Sequence, residues 1–209
     1  MEQRPARGRR GILFVFTGAS GVGKGSLRAA AADALTSVTY SVSATTRARR
    51  PAETDGVDYH FLERAAFERM IARGEFLEHA DYVGDLYGTP AAPVDAALAA
   101  GRDVLLEIEL DGARQVKEAR PEAVMIFIAP PSLAELERRL RGRGTDGEAK
   151  IQRRLARARD EIRALREFDY LIVNDRLDVA AETLRVVLGA EHARAWRVTD
   201  DEIDAFLAS

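Results

Sequence analysis

FVFTGASGVGKGSL, residues 14–27, is the stretch whose reading decides the fold. Ile12 through Phe16 make a continuous apolar run, as a strand covered on both faces requires. Gly18, Gly21 and Gly23 follow, then Lys24, and from Leu27 the apolar residues Leu27, Ala30, Ala31, Ala34 and Leu35 recur at helical spacing. Strand, glycine-rich turn, lysine and helix, in that order, are the context of a phosphate-binding P-loop. Glycines let the backbone adopt left-handed conformations and bring its N–H groups close to phosphate oxygens. The helix that follows adds the positive end of its dipole, and Lys24 can reach β- and γ-phosphates. Gly18, Ala19, Ser20, Gly21, Val22, Gly23, Lys24, Gly25 and Ser26 are therefore the candidate triphosphate contacts. A plain glycine-rich turn is the competing reading, and the flanking strand and helix count against it.

Gly25 stands where the strict pattern has the Ser or Thr that ligates Mg²⁺, and Ser26 comes one place later. That order resembles the nucleoside-monophosphate kinase form of the loop. The resemblance implies a metal held by phosphates and water, with Ser26 the one candidate side-chain contact. The loop by itself implies a bound nucleoside triphosphate and leaves the acceptor open.

At 209 residues the chain fits one folding unit with a substantial core. A net charge of −3 gives no case for nucleic-acid or anionic-membrane partners. With no cysteine, neither a disulfide framework nor a thiolate metal site can form. No apolar run approaches a membrane span, and MEQRPARGRRG runs straight into the first strand without a signal-peptide core. A cytoplasmic protein is expected. Arg4, Arg7, Arg9 and Arg10 read as a disordered lead-in, with a binding arm as the alternative.

Further apolar runs at 38–42, 104–108, 124–128 and 170–173 read as parallel strands. Helical patterns lie at 26–35, 91–100, 112–119, 132–141, 148–167 and 178–188. The alternation predicts an α/β fold of three layers, a P-loop NTPase core on a parallel sheet. Two regions break the rhythm: 43–90, rich in Tyr, Gly and charge with short strand-like pieces, and 132–167, dense in Arg. Segments that long outside the alternation are usually functional. They are expected to be lobes hinged on a core made of about 11–42, 91–131 and 168–188, with 1–10 and 189–209 as terminal extensions.

Arg47, Arg49, Arg50 and Tyr59 fall in SVSATTRARRPAETDGVDYHF, residues 41–61. Guanidinium forks and a phenol hydroxyl at the mouth of a sheet suit a dianionic phosphate, although such a cluster also makes an ordinary solvated face. EFLEHADYVGDLYGTP, residues 75–90, adds Glu78 among apolar residues, then Tyr87, Gly88 and Thr89. A carboxylate facing a ligand can accept from guanine N1–H and the 2-amino group together. Adenine has no such paired donors and would leave it buried and unpaired, a difference worth roughly 10⁴-fold.

SGVGKGSL, SVSATTRxxR with E-x-x-G-x-DY-x-F, Glu78 with Tyr87-Gly-Thr, IFIAPPS (126–132), GRGTD (142–146) and VND (173–175) together closely resemble the guanylate kinase family, in its order, over about residues 11–188. The resemblance implies a kinase that moves the γ-phosphoryl of MgATP to GMP or dGMP. It implies that Ser43, Glu78 and Thr89 read the guanine and that Arg47, Arg50, Tyr59 and Tyr87 hold the GMP phosphate. Glu107 and Glu109, at the carboxyl end of a core strand, would face the cleft; an exposed pair at a strand end is the other reading. The family has Asp where this chain has Glu109 and Gln where it has Asp111, which leaves the role of that carboxylate open. Arg49 and Ala52 replace the usual Pro and Gly of the acceptor motif. Arg139, Arg143 and Arg154 match the lid arginines that close over ATP, whereas Arg138, Arg141 and Arg157 read as solvated helix surface. Lys24, Arg47, Arg143 and Arg154 are thus the catalytic candidates, and Arg139, Arg143 and Asn174 join the loop in binding ATP. Asn174 can equally be a turn former. Thr145 and Asp146 look like a helix N-cap region, with Glu148 in the first turn.

His60, His79 and His192 have no metal-ligand spacing. Trp196, in the tail beyond the resemblance, is expected to be packed or to form an interface. The sequence leaves two alternatives to the kinase: a non-catalytic guanylate-kinase-like interaction module, and a kinase of another phosphate acceptor such as a ribose bisphosphate.

Overall fold

The structure is a computed structural model that describes residues 10–142, 144 and 147–208. Its centre is β1 (Leu13–Gly18), buried along its whole length. Parallel neighbours flank it on both sides, β7 (Asp103–Glu107) and β8 (Val124–Ala129). With β2 (Val38–Tyr40) and β9 (Tyr170–Val173) outside them, the sheet runs β2-β7-β1-β8-β9.

Alternation along β1 decides the layers. Phe14 and Phe16 join Leu27 of α1 (Lys24–Ala30) and Ala180, Leu184 and Leu188 of α7 (Leu177–His192) in one apolar cluster. Leu13 and Val15 point the other way, to Val94 and Leu98 of α3 (Ala91–Ala99) and Val116 of α4 (Leu110–Ala119). A period of two in the strand thus puts helices on both faces. The three-layer α/β expectation agrees with this architecture.

A second sheet, ordered β4-β3-β6-β5, occupies the 43–90 region. It comprises β3 (Ala44–Thr45), β4 (His60–Phe61), β5 (Phe76–Tyr82) and β6 (Asp85–Pro90). Helix α2 (Arg64–Ala72) covers it, seating Phe67 against Ala44, Leu86 and Phe76. The sequence reading expected only strand-like pieces here; the Phe67 and Ile71 spacing was the available signal for the helix. Two further helices, α5 (Leu133–Gly142) and α6 (Glu148–Arg163), share an apolar seam of Leu136, Leu140, Ile151, Leu155 and Ala158. α8 (Asp200–Leu207) opens on a capping box between Thr199 and Glu202.

Several boundaries differ from expectation. β1 continues to Gly18 because β8 still pairs with it there, Gly18 opposite Ile128. β2 ends at Tyr40 rather than 42, as the chain leaves for the small sheet. The 26–35 pattern is α1 followed by a 3₁₀ turn, Ala32–Leu35, which keeps Ala31 and Leu35 buried beside Leu27. α6 likewise gives way to a 3₁₀ turn at Ala164–Glu167. α6 is capped by Gly147, with no side-chain cap bond; Thr145 and Asp146 lie outside the described residues.

The C-terminal tail is not a separate extension at its start. α7 runs on to His192, and buried Glu191 accepts from Tyr170 Oη (2.5 Å), Arg194 Nε (3.0 Å) and Arg197 Nη2 (3.1 Å). Trp196 is 61% exposed under the Arg197 guanidinium, so it is not packed into the core. Arg10 meets Asp95 at the surface, and Arg4, Arg7 and Arg9 lie outside the described residues. No helix among the described residues is long and apolar enough to cross a membrane.

Candidate active site

The P-loop leaves the carboxyl end of the central strand. Gly18, Ala19, Ser20, Gly21, Val22 and Gly23 make the turn, and Lys24, Gly25 and Ser26 begin α1. The loop is braced from outside. Asn174, buried at the end of β9, donates from Nδ2 to Val22 O (2.9 Å). Its backbone N–H reaches back to Ala129 O at 2.8 Å. Gly23 takes φ 95°, and a Cβ there would lie 2.7 Å from Asn174 Nδ2, so two independent constraints require glycine. Arg139 Nη1 spans Asn174 O (2.9 Å) and Val22 O (3.3 Å), while Glu135 holds its Nε at 2.7 Å. Arg138 and Arg139 together pull the Glu135 carboxyl down to about 2. Two of the residues assigned to ATP through the resemblance, Asn174 and Arg139, thus spend these donors on shaping the loop. Ala19 is buried in the α5–α6 seam, which fixes the loop against that hairpin.

Lys24 Nζ donates to Gly18 O at 2.6 Å, which places the ammonium across the mouth of the loop. On the same side lies Glu161 of α6, 4% exposed, with Oε2 buried and without a hydrogen-bond partner. Burial pushes its carboxyl up, and the charges of Arg157 and, more weakly, Lys24 oppose that rise. Arg157 is exposed, as its spacing implied, and also bonds both Glu161 Oε1 (2.9 Å) and Glu109 Oε2 (2.7 Å). Arg141 also has a structural task, bridging Glu137 on α5 and Glu148 on α6, while Arg138 stays exposed beside Glu135. Arg154 is half-buried on α6, and Arg143 lies outside the described residues.

The small sheet assembles the second half of the site. Register places Glu78 of β5 opposite Thr89 of β6, and Thr89 Oγ1 donates to Glu78 Oε1 at 2.6 Å. Burial raises the Glu78 pKa, against the lowering effect of the Thr89 hydrogen bonds. Behind Oε2 stands Gly112 in the first turn of α4, where a Cβ would come within 2.9 Å. Sequence reasoning missed Gly112; an isolated glycine inside a helical pattern was the only signal. Gln115, one turn further, closes both backbone bonds of His79 at 3.1 Å, so α4 is fastened to β5 beside the carboxylate.

Ser43 precedes β3, and its carbonyl accepts from His60 N–H at 2.8 Å, which brings it beside Tyr59. Thr45 opposite Tyr87 carries the other tyrosine to the same place, and the two rings meet edge-on at 6.1 Å. Arg47 lies over Tyr59 and Phe61, 5.6 and 5.8 Å from the ring centroids. Glu53 orients it, accepting from Arg47 Nη2 (2.7 Å) and from the Arg50 backbone N–H (2.8 Å). Those bonds hold the Glu53 carboxyl below its ordinary range. The Arg50 side chain is exposed at the rim. Ser43, Arg47, Tyr59 and Tyr87 therefore form one group, and Glu53 is a positioning residue that the motif contained but the reading did not single out.

Glu107 ends β7 opposite Phe16 of β1 and lies 3.8 Å from Arg28. Glu109 is the N-cap residue of α4, its carboxylate bound to Arg157 rather than to the Glu78–Thr89 pair. Among the described residues no group of three or more His, Asp or Glu could enclose a metal ion. Ser26 lies exposed in the first turn of α1, and Glu107 and Glu109 at the carboxyl end of β7 are paired with Arg28 and Arg157; hard oxygen donors of this kind suit a cation that keeps phosphate and water in most of its shell.

Comparison with known proteins bears on this geometry. A family model described as guanylate kinase matches residues 10–191. A guanylate kinase of Thermus thermophilus is 56% identical over 92% of this chain and 86% of its own length. One of Lactococcus lactis is 51% identical over 91% and 93%. The crystal structure of guanylate kinase from Anaplasma phagocytophilum superposes with a TM-score of 0.70 at 33% identity, covering 90% of both chains. A P-loop, a buried Glu–Thr pair and an arginine–tyrosine cluster on this scaffold, with identity above half across nearly the whole chain, show that the protein belongs to the guanylate kinase family.

Proposed function

We propose that this chain transfers the γ-phosphoryl group of ATP to GMP or dGMP, giving ADP and GDP or dGDP. The observation that carries the acceptor is the buried Glu78 carboxylate, with Oε1 fixed by Thr89 and Oε2 backed by a residue with no side chain. A buried acceptor pair is matched by the paired donors of guanine and by no other common base edge. Ser43 completes the base contacts, and Arg47, Tyr59, Tyr87 and the rim residue Arg50 take the phosphate. Glu107 and Glu109 line the cleft between the two nucleotides.

An oxygen of the GMP phosphate attacks the γ-phosphorus, the bond from γ-phosphorus to the β,γ-bridging oxygen breaks, and ADP leaves with that electron pair. The nucleophile is already an anion, so no general base is needed. The protein positions the reactants and neutralises charge spread over the equatorial oxygens. Lys24 and the P-loop N–H groups hold the donor phosphates, with Arg139 and Asn174 keeping the loop in shape. Arg47 serves the acceptor side, and Arg143 and Arg154 the transferring group. Mg²⁺, bound through phosphate and water near Ser26, Glu107 and Glu109, would screen charge between the two substrates.

Residues 43–90 and 132–167 act as lobes that close on the core. The 43–90 lobe has its own apolar cluster around Phe67, so it can move as a body without opening the central core, whereas the 132–167 lobe shares its Leu136 and Leu140 seam with Ala19 of the P-loop and closes from that contact. Closure keeps water from the γ-phosphoryl.

The test is ADP release from MgATP with GMP, dGMP, AMP, UMP and a ribose bisphosphate offered in parallel. Turnover confined to guanine nucleotides is expected, and Lys24→Ala should lower it by about 10²-fold or more with the fold intact. Turnover with the sugar phosphate alone would overturn the acceptor. Folded protein that binds GMP without turning over would make it an interaction module.

A further inference from the structure

We propose that Arg157 couples the two nucleotide sites, tying helix α6 on the ATP side to the start of α4, the helix that backs the guanine-reading carboxylate. The inference rests on the functional reading above. Arg157 lies one turn beyond Arg154 on α6. Glu161, whose side chain is 5% exposed, grips its Nε from within the protein. That grip orients the guanidinium so that Nη2 reaches Glu109, 48 residues away in the chain. An arginine held at one nitrogen by a buried carboxylate loses less rotamer freedom on making its second bond than a free surface arginine does.

Each end of this link leads to a different nucleotide. Glu109 is the N-cap residue of α4; Gly112, in its first turn, is where a Cβ would come within 2.9 Å of Glu78 Oε2, and Gln115 is bonded to the backbone of His79 beside it. Any shift of Glu78 on meeting guanine is passed through α4 to Glu109. Glu161 lies on the Lys24 side with a buried, unpartnered Oε2, and α6 carries Arg154 and shares its seam with Ala19 of the P-loop. Occupancy of one site therefore biases the position of the other through the Glu109–Arg157–Glu161 line. Such coupling is reciprocal in binding free energy.

The experiment is calorimetric titration of the full chain with GMP, with and without a saturating β,γ-imido analogue of ATP and Mg²⁺, and the reverse. In the parent protein each nucleotide changes the affinity for the other. In Arg157→Gln that factor moves toward one by about three- to five-fold, the size of an oriented surface pair. Its single-nucleotide Kd values stay within about two-fold of the parent, and it still unfolds in one cooperative transition, at a lower temperature because buried Glu161 loses its partner. Glu109→Gln reduces the coupling by a similar factor, and the double variant reduces it no further. Coupling that persists in both single variants, or a parent that binds both nucleotides independently, would overturn the proposal. A parent that binds neither nucleotide would instead overturn the functional reading, and this inference with it.

Discussion

Glu78→Gln is the substitution that separates guanine recognition from everything else in this protein. The amide keeps one oxygen, which can still accept from Thr89 Oγ1 at the observed 2.6 Å. Its NH₂ then replaces Oε2 beside Gly112 and turns donors toward the guanine donors. Hydrogen bonds to a charged partner are worth about 1.5–3 kcal/mol each. Losing the paired contact should therefore cost about 3–6 kcal/mol, or about 10²–10⁴-fold in kcat/KM for GMP. The KM for ATP should change by less than about two-fold, since the P-loop is braced by Asn174 and Arg139 and not by Glu78. Steady-state kinetics with ATP and GMP varied separately read both numbers. A GMP KM within two-fold of the parent would remove Glu78 from the guanine site.

The pH dependence supplies an independent arm. Burial raises the Glu78 pKa, and the ionised form is the one that accepts from guanine. The KM for GMP should therefore rise as pH falls through that raised pKa, and Glu78→Gln should flatten the profile. The stability effect has the opposite sign. A carboxyl with a raised folded pKa contributes stability that is fully present below its unfolded pKa and lost as pH rises through the folded value. At neutral pH the ionised side chain is thus a cost, and Glu78→Gln should melt no lower than the parent while binding GMP far worse.

Gly112→Ala puts a Cβ 2.9 Å from Glu78 Oε2, so the KM for GMP should rise about ten-fold or more with ATP binding spared; equal losses for both substrates would point to a general packing defect. Glu53→Gln weakens the hold on Arg47 and on the Arg50 backbone. The KM for GMP should then rise by about three- to ten-fold, an effect of the size expected for one charge-assisted bond. An unchanged GMP KM would show that Arg47 needs no such support.

Residues 14–27 determined a great deal unaided. A continuous apolar strand, spaced glycines and Lys24 admit few backbone paths, because local sterics and the need to pair buried N–H groups leave little choice. The three-layer architecture was legible for the same reason: strands buried on both faces are apolar throughout, and the helices between them carry one apolar stripe. The arginines were where the sequence fell silent. Arg139, Arg141 and Arg157 sit in one charged run, and spacing alone does not separate them. One braces the P-loop, one bridges two helices, and one spans to Glu109. What distinguishes them is the partner at the far end of a long side chain, 35 residues away for Arg139 and 48 for Arg157, and no local pattern encodes that. The same holds for Gly112, whose missing side chain has meaning only because a strand from the second sheet delivers Glu78 against it. Local chemistry is written along the chain. Whether a charge is a solvated face, a brace or a link depends on which distant carboxylate or carbonyl the folded core holds within about 3 Å of it, and only the tertiary structure decides that.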